Sequence, residues 1–280
     1  MPKFHALHAH LERIGVVGPV NRFVPEPAAL DVLELIHTPD YVRDVVDQTL
    51  SPMAERRLGL PQSPALAARS RAATGGTLLA ARLALAHGIA CNTAGGSHHA
   101  FAEAGSGFCV FNDVAVAAAA LLAEGAVRQV LVVDLDVHQG DGTALIFRDE
   151  PRVFTFSMHA ATNFPARKQQ SDLDLALPRD LGDVDYLARL EETLPRVLDD
   201  LAPDLVFYNA GVDPHVEDRL GHLALSDDGL RARDFAVIDA VRRRGMPLVG
   251  VVGGGYDRDV ERLVGRHAIL HATAARLLSG

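Results

Sequence analysis

Cysteine and lysine are scarce in this chain, and tryptophan is absent. The 280 residues include two cysteines, Cys91 and Cys109, which form no Cys-x-x-Cys pair. A disulfide framework and a cysteine-ligated zinc site therefore have no support, and a reducing, cytoplasmic location is expected. Lys3 and Lys168 are the only lysines among 27 basic residues, a bias typical of a GC-rich bacterial genome.

A net positive charge, long apolar runs and nucleotide-binding loops are absent as well. The formal net charge is −9, so no nucleic-acid partner is expected. No segment reaches the roughly 20 apolar residues of a membrane span, and the first residues lack the apolar core of a signal peptide. No Gly-x-Gly-x-x-Gly motif opens a helix and no Gly-x-Ser-x-Gly occurs, so neither a nucleotide nor a serine nucleophile is indicated.

Hydrophobic residues make up 48% of the chain, which is enough for one large buried core. Alternating α/β chains of this length are often single domains, so one domain is expected over residues 1–280. The composition gives no indication of the oligomeric state.

From residue 89 onward, apolar runs alternate with helical patterns. Strands are predicted over residues 89–92, 130–134, 153–157, 205–209 and 247–252, and helices over residues 113–124, 143–147, 184–201, 226–244 and 260–278. This alternation is typical of an α/β fold with three αβα layers around a mainly parallel sheet.

The pattern ahead of residue 89 is less regular. Helices are predicted over residues 4–11 and 65–87, and a short helix starts at Pro39 behind a Thr38 cap. Residues 28–35 fit a helix or a strand equally, and residues 50–64 are predicted as a surface segment. The pair Gly75-Gly76 indicates either a weakened long helix or close packing.

Polar clusters follow five of the predicted strands. They are residues 95–99, 134–141, 157–159, 210–215 and 253–256. Ligands of open α/β sheets bind outside the carboxyl ends of the strands. The five clusters are therefore expected to converge on one pocket.

A metal site is predicted at the end of the strand over residues 130–134. Asp136 and His138 stand two residues apart, which places both side chains on one side of an extended backbone. Asp213, at the end of another strand, is the natural third ligand. Three protein ligands leave an open position for water, which is typical of catalytic zinc.

The tandem pair His98-His99 lies in a glycine-rich loop and is predicted to be functional. Asp134 and Asp141 are well placed to hydrogen-bond its ring nitrogens, which would fix the tautomers and raise the basicity. The remaining isolated histidines are interpreted as surface residues or as hydrogen-bonded core residues. They are His5, His8, His10, His87, His222, His267 and His271.

Tyr256 follows the glycine run 253–255. Its phenol can donate a hydrogen bond to an oxyanion, and glycines such as Gly254 let the backbone approach a substrate closely. With the metal ligands and histidines, these residues predict metal-assisted hydrolysis of an amide.

Together these motifs resemble the histone deacetylase family, whose fold is arginase-like. The motifs are Gly-Gly-Ser-His98-His99-Ala, the segment 107–113, Asp134-Leu-Asp136-Val-His138-Gln139-Gly-Asp141-Gly, Asn209-Ala-Gly-Val-Asp213 and Gly-Gly-Gly-Tyr256. Gln139, the segment 217–221 and Asn163-Phe164-Pro165 are similar to class IV, the histone deacetylase 11-like branch and its bacterial relatives.

The resemblance implies a role for each matching residue. Asp136, His138 and Asp213 match the zinc ligands, with Fe²⁺ as a possible occupant in vivo, and His99 matches the general base and acid. Asp134 would support His98, and Asp141 would support His99. The implied substrate contacts are the carbonyl of Gly107, the aromatic walls Phe108 and Phe164, and the rim residue Leu220.

The resemblance also implies a structural K⁺ ion. Its matching ligands are Asp134, Ser157 and backbone oxygens of Asp136, His138 and Met158. Family members usually begin with a strand ahead of the residues that match Phe4. That strand is therefore expected to be missing or to lie upstream of this sequence.

The expected substrate is an acyl-lysine protein or peptide, with an acetyl or a longer fatty acyl group. An acetylpolyamine or another small acylated amine is the main alternative. Less favoured are a binuclear manganese ureohydrolase, which needs ligands for a second metal, and an inactive binding module.

Overall fold

Six parallel strands form the sheet of the computed structural model, which describes residues 3–278. They are β1 (Ile89–Cys91), β2 (Val130–Asp134), β3 (Val153–Ala160), β4 (Leu173–Leu177), β5 (Leu205–Asn209) and β6 (Leu248–Val251). Their spatial order is β1-β6-β5-β2-β3-β4, and each pairing is parallel. The predicted α/β class with a parallel sheet is confirmed.

Ten helices accompany the strands within the described residues. They are α1 (Lys3–Arg13), α2 (Leu30–Leu33), α3 (Pro39–Asp47), α4 (Pro52–Leu58), α5 (Pro64–His87), α6 (Asp113–Ala123), α7 (Asp141–Phe147), α8 (Asp183–Leu201), α9 (Asp227–Arg242) and α10 (Val260–Leu278). None of them is long and apolar enough to cross a membrane.

Opposite faces of the sheet belong to two separate apolar cores, which define the three layers. Leu131 and Val133 pack with apolar residues of α8, α9 and α10. Val130 and Val132 pack with residues of α5 and α6 on the other face. Because side chains alternate along a strand, a strand buried on both faces is apolar throughout, as β2 is up to Asp134.

Two elements differ from the sequence-based expectation. Residues 50–64 contain helix α4, which Ser51 caps and which buries Leu58. Strand β4 was not predicted, because its aspartate and partly exposed side chains are those of an edge strand. Residues 28–35, left open between helix and strand, contain the short helix α2.

The glycine pair of α5 marks close packing. A Cβ atom on Gly75 would lie 2.0 Å from the carbonyl oxygen of Glu26. The segment ahead of α2 therefore contacts the helix backbone directly, and Gly75 is required for that approach.

The edge strand β1 pairs only with β6 among the described residues. Near it lies a cavity of about 970 Å³ between α1, α5 and α10, whose lining includes Phe4, Val17, Phe23 and Cys91. The described chain enters the fold directly with α1, and no strand precedes β1 within residues 3–278.

Candidate active site

The predicted metal ligands meet at the carboxyl end of the sheet. Nδ1 of His138 lies 3.0 Å from Oδ1 of Asp136 and 3.2 Å from Oδ2 of Asp213. All three side chains are buried, and one ligand atom from each lies within 4.8 Å of the others. The backbone N–H of Gly254 donates to Asp136 at 2.7 Å, and a Cβ atom on Gly254 would lie 2.0 Å from Oδ2 of Asp213.

The two carboxylates of this cluster give it the negative charge and the oxygen donors of a cation site. Apart from its 3.2 Å contact with Nδ1 of His138, no donor of the described residues reaches the buried Oδ2 of Asp213. Burial and the charge of Asp136 raise the pKa of Asp213 to about 7. Burial opposes a charge on His138, yet Asp136 and Asp213 outweigh it and raise its pKa to about 10. A divalent cation would neutralise the excess negative charge, so the donor set fits a bound metal.

The two neighbouring histidines have separate carboxylate partners. Nδ1 of His98 lies 2.6 Å from Asp134, and Nδ1 of His99 lies 2.6 Å from Asp141. Burial disfavours a charge on both rings. The carboxylates of Asp134 and Asp136 overcome this at His98 and raise its pKa to about 9. At His99, burial and the charge of His98 lower the pKa to about 4.

Asp113 holds the loop that precedes these histidines. Its carboxylate accepts hydrogen bonds from the N–H groups of Gly96 and Ser97 and from the hydroxyl of Thr77. Gly96 has a φ of +83°, which a glycine adopts without strain. No role was predicted for Asp113 from the sequence, although it lies inside the segment 107–113 that resembles the deacetylase family.

Asn209 is a second residue that the sequence analysis left without a role. At the end of β5, its side-chain amide donates to Asp134 at 3.0 Å and lies 3.3 Å from Nδ1 of His98. Asn209 therefore helps to orient the carboxylate that supports His98.

The family resemblance predicts three large apolar side chains at the substrate entrance. Phe108, Phe164 and Leu220 are 41%, 44% and 42% exposed. The ring of Phe164 stands edge-on to His99 at 4.8 Å. A Cβ atom on Gly107 would lie 2.7 Å from the His99 ring, so the passage beside this histidine is narrow.

Tyr256 lies at the same entrance, with its ring 5.9 Å from that of Phe108. Asp218 accepts hydrogen bonds from the backbone N–H groups of Tyr256 and Leu220, and thereby joins the two loops. Burial and the nearby carboxylates hold the pKa of the Tyr256 phenol well above its usual value.

The residues expected to hold K⁺ are partly brought together. Asp134 of β2 is in register with Ser157 of β3, and Met158 follows, fully buried. The hydroxyl of Ser157 hydrogen-bonds to His159 at 2.9 Å.

The interpretation of His267 and His271 was partly wrong. Both are buried, but neither ring nitrogen of His267 has a hydrogen-bond partner, nor does Nε2 of His271. Burial lowers the pKa of both rings, so they remain neutral.

Solved structures share this fold. A histone deacetylase (HDAC) homologue complexed with SAHA superposes with a TM-score of 0.84 and 28% identity, over 96% of this chain and 77% of the other. An HDAC homologue from Aquifex aeolicus gives a TM-score of 0.81 and 27% identity, over 98% and 81% of the two chains. The three-layer fold is therefore that of the arginase and deacetylase class.

Sequence comparison assigns the family. Residues 2–270 match the histone deacetylase domain model. Histone deacetylase 2 of Arabidopsis thaliana is 31% identical over 94% of this chain and 68% of its own length. An uncharacterised protein of Picosynechococcus is 52% identical, over 98% and 91% of the two chains. The chain belongs to the histone deacetylase family and is a hydrolase of the deacetylase type.

Proposed function

We propose that this chain is a zinc-dependent deacylase of N-ε-acyl-lysine. The observation that carries the proposal is the buried Asp136–His138–Asp213 cluster beside two histidines that differ in charge, His98 being protonated and His99 neutral. Zinc suits two aspartates and one histidine, and Fe²⁺ is a second candidate in vivo. When bound there, the metal supplies Lewis acidity toward water and the amide carbonyl.

His99 acts as general base and then as general acid in this proposal. Its low pKa keeps the ring neutral at neutral pH, so Nε2 can accept a proton from the attacking water. Asp141 fixes the proton on Nδ1 and keeps Nε2 free. The same nitrogen then delivers the proton to the departing amine.

His98 and Tyr256 stabilise the negative charge that develops on the carbonyl oxygen. His98 is protonated through its contact with Asp134 and adds positive charge beside the cluster. The phenol of Tyr256 stays protonated because its pKa is raised, so it can donate a hydrogen bond to the oxyanion.

The narrow entrance supports a slender acylated amine as substrate. Phe108 and Phe164 would line the alkyl stem of an acyl-lysine, Leu220 would form the rim, and the carbonyl of Gly107 would accept the substrate amide N–H. Gly254 would bring backbone close to the acyl group. An acetylpolyamine or another small acylated amine fits the same passage and is the alternative.

Four further assignments belong to the proposal. The chain acts as one catalytic domain over residues 1–280, in the cytoplasm, and is a class IV member. A structural K⁺ ion binds Asp134, Ser157 and the backbone of Asp136, His138 and Met158, which the register of β2 with β3 supports. A binuclear manganese enzyme is disfavoured, because residues 3–278 contain no second cluster of metal ligands.

An acyl series on one lysine peptide tests the proposal. The zinc-loaded enzyme is expected to hydrolyse at least one member among acetyl, butanoyl and myristoyl, with acetylspermidine as the small-molecule comparison. Replacing Tyr256→Phe removes one oxyanion donor and should lower kcat about 100-fold to 1,000-fold. A Tyr256→Phe enzyme as fast as the wild type would contradict the mechanism.

A further inference from the structure

The segment between β3 and β4, residues 161–172, carries Phe164 and contains neither helix nor strand. We call it the entrance loop. Ala161, Thr162, Ala166 and Arg167 are exposed, and Phe164 itself is 44% exposed. Pro165 is the one buried apolar residue of the loop, so apolar burial contributes little to holding it and its position depends mainly on polar contacts.

Asn163 fastens the entrance loop to the loop that carries Leu220. Its side-chain amide donates to the carbonyl of Leu220 at 2.6 Å, and its Oδ1 accepts from the N–H of His222 at 2.8 Å. The Asn163 side chain is buried, with the residue 6% exposed, so water competes poorly for these bonds. Two walls of the passage, Phe164 and Leu220, thus have their spacing fixed by one residue.

Lys168 makes hydrogen bonds within the entrance loop on both sides of Phe164. Its Nζ donates to the carbonyls of Asn163 and Pro165, each at 2.6 Å. These carbonyls belong to the residues directly before and after Phe164. A single cation therefore fixes the backbone from which the phenylalanine ring projects.

Gln139 joins the far end of the loop to the segment after β2 that carries Asp136 and His138. Its Oε1 accepts from the N–H of Gln169, and its Nε2 donates to the carbonyl of the same residue, both at 2.8 Å. The entrance loop is thus anchored at one end to the segment after β2 and at the other to the loop that carries Leu220.

We propose that Asn163 and Lys168 are positioning residues that determine acyl-group specificity. They hold Phe164 edge-on to His99 at 4.8 Å and thereby limit the width of the acyl-amine that reaches the histidine. This rests on the proposed function, because it assigns the selectivity of that same passage.

Lys168→Met tests the proposal, because it keeps the length of the side chain and removes its donors. On acetyl-lysine, butanoyl-lysine and benzoyl-lysine forms of one peptide, KM for the acetyl form should rise about tenfold with kcat changed less than about twofold. The kcat/KM ratio of acetyl over the wide benzoyl group should fall about tenfold, since the site discriminates by shape. An unchanged ratio would overturn the proposal, even if activity fell.

Arg167→Met is the matched control, because Arg167 is an exposed cation of the same loop. The acetyl-to-benzoyl ratio of kcat/KM for Arg167→Met should equal that of the wild type. Asn163→Asp is the second variant: it keeps an acceptor for the His222 N–H and loses the donor to Leu220. It should shift the ratio in the same direction as Lys168→Met, and a shift in Arg167→Met alone would contradict the assignment.

Amide hydrogen exchange separates this inference from the proposed function. In Lys168→Met and Asn163→Asp, exchange should accelerate at residues 161–172 and remain unchanged in β2 and β5. This holds whether or not the wild type hydrolyses the peptides. Unchanged exchange in the entrance loop would overturn the positioning role, whereas wild-type inactivity would overturn the deacylase assignment alone.

Discussion

His98 and His99 are chain neighbours with rings 4.0 Å apart, yet they differ in charge. His98 lies near two carboxylates, Asp134 and Asp136, whereas His99 has one, Asp141, and is repelled by the charge of His98. Two titratable groups with separated pKa values can take different roles, here proton transfer at His99 and charge stabilisation at His98. The division follows from where the carboxylates stand and not from the histidines themselves.

Replacing Asp141→Asn tests this division. The amide can present a donor to Nδ1 of His99, which would favour the wrong tautomer and place a hydrogen on Nε2. Activity should fall about 10-fold to 100-fold, measured as kcat/KM on the best peptide of the series. Asp149→Asn, at an exposed position, serves as the control, and equal activities of the two variants would contradict the role of Asp141.

His37 makes stability depend on pH. Its Nδ1–H donates to the carbonyl of Phe101, and its Nε2 accepts from the N–H of Asn112. Protonation would place a hydrogen against that N–H, and burial lowers the pKa of His37 to about 4. The unfolded chain binds this proton below about pH 6.5, so the contribution is complete above pH 6.5 and is lost as pH falls to 4.

The expected loss is about 3 kcal/mol in the free energy of unfolding. Urea unfolding of the wild type and of His37→Gln between pH 7 and pH 4 measures it. The wild type should lose more stability than the variant over this range, since other buried histidines are common to both. Parallel curves would show that His37 does not titrate as described.

At the scale of elements, α9 connects two loops that carry proposed metal ligands. Arg233 is fully buried and donates to the carbonyl oxygens of Leu135 and Gly211. Its charge is balanced by Asp234, which also accepts from the hydroxyl of Tyr208. One helix thus fixes the backbone just before Asp136 and just before Val212.

Arg233→Leu should destabilise the protein by about 3–5 kcal/mol, because it leaves Asp234 as a buried carboxylate without its cation. Arg231→Leu on the same helix removes an exposed pair with Asp228 and should change stability by less than about 0.5 kcal/mol. Chemical denaturation of both variants measures the difference. Equal stabilities would contradict the role of the buried pair.

The strands that could be predicted most closely from the sequence have side chains that are all buried. Strands β2 and β5 are buried on both faces, and their apolar runs predicted them closely. Strand β4 has one buried residue, Leu177, so its hydrophobic pattern is weak. Helix α4 is seven residues long, and its proline-rich surroundings favoured a loop.

The same contrast applies to the site. Asp136, His138 and Asp213 could be predicted together because strand ends meet at one edge of a parallel sheet. The contacts of Asn163, Lys168 and Asp218 could not, because they join irregular loops whose paths depend on tertiary hydrogen bonds. Sequence therefore predicted the ligand cluster, while the structure was needed for the residues that hold the entrance.

At the scale of the whole molecule, metal binding should be linked to folding. Removing the metal leaves two buried carboxylates beside each other, and Oδ2 of Asp213 then has only its 3.2 Å contact with Nδ1 of His138. Chelation of the metal should lower Tm. Zinc at about 1,000 times its Kd should raise the free energy of unfolding by about 4 kcal/mol. Thermal unfolding with and without zinc measures this increment.

Asp213→Asn is the matched variant for the metal experiment. It removes one ligand charge and should abolish most of the zinc-dependent increment in Tm. A full increment in this variant would show that zinc binds elsewhere.

The parallel sheet also separates the proposed active site from the opposite end of the molecule, where attachments can be made. The proposed metal ligands, the two histidines and Tyr256 lie beyond the carboxyl ends of the strands, whereas turns such as those at Gly125 and Gly245 precede strands β2 and β6. No other atom lies within 4 Å of a Cβ built on either glycine. A fusion partner, affinity tag or solid support attached at these turns would leave the entrance facing free solution, so immobilised enzyme should keep its access to large peptide substrates.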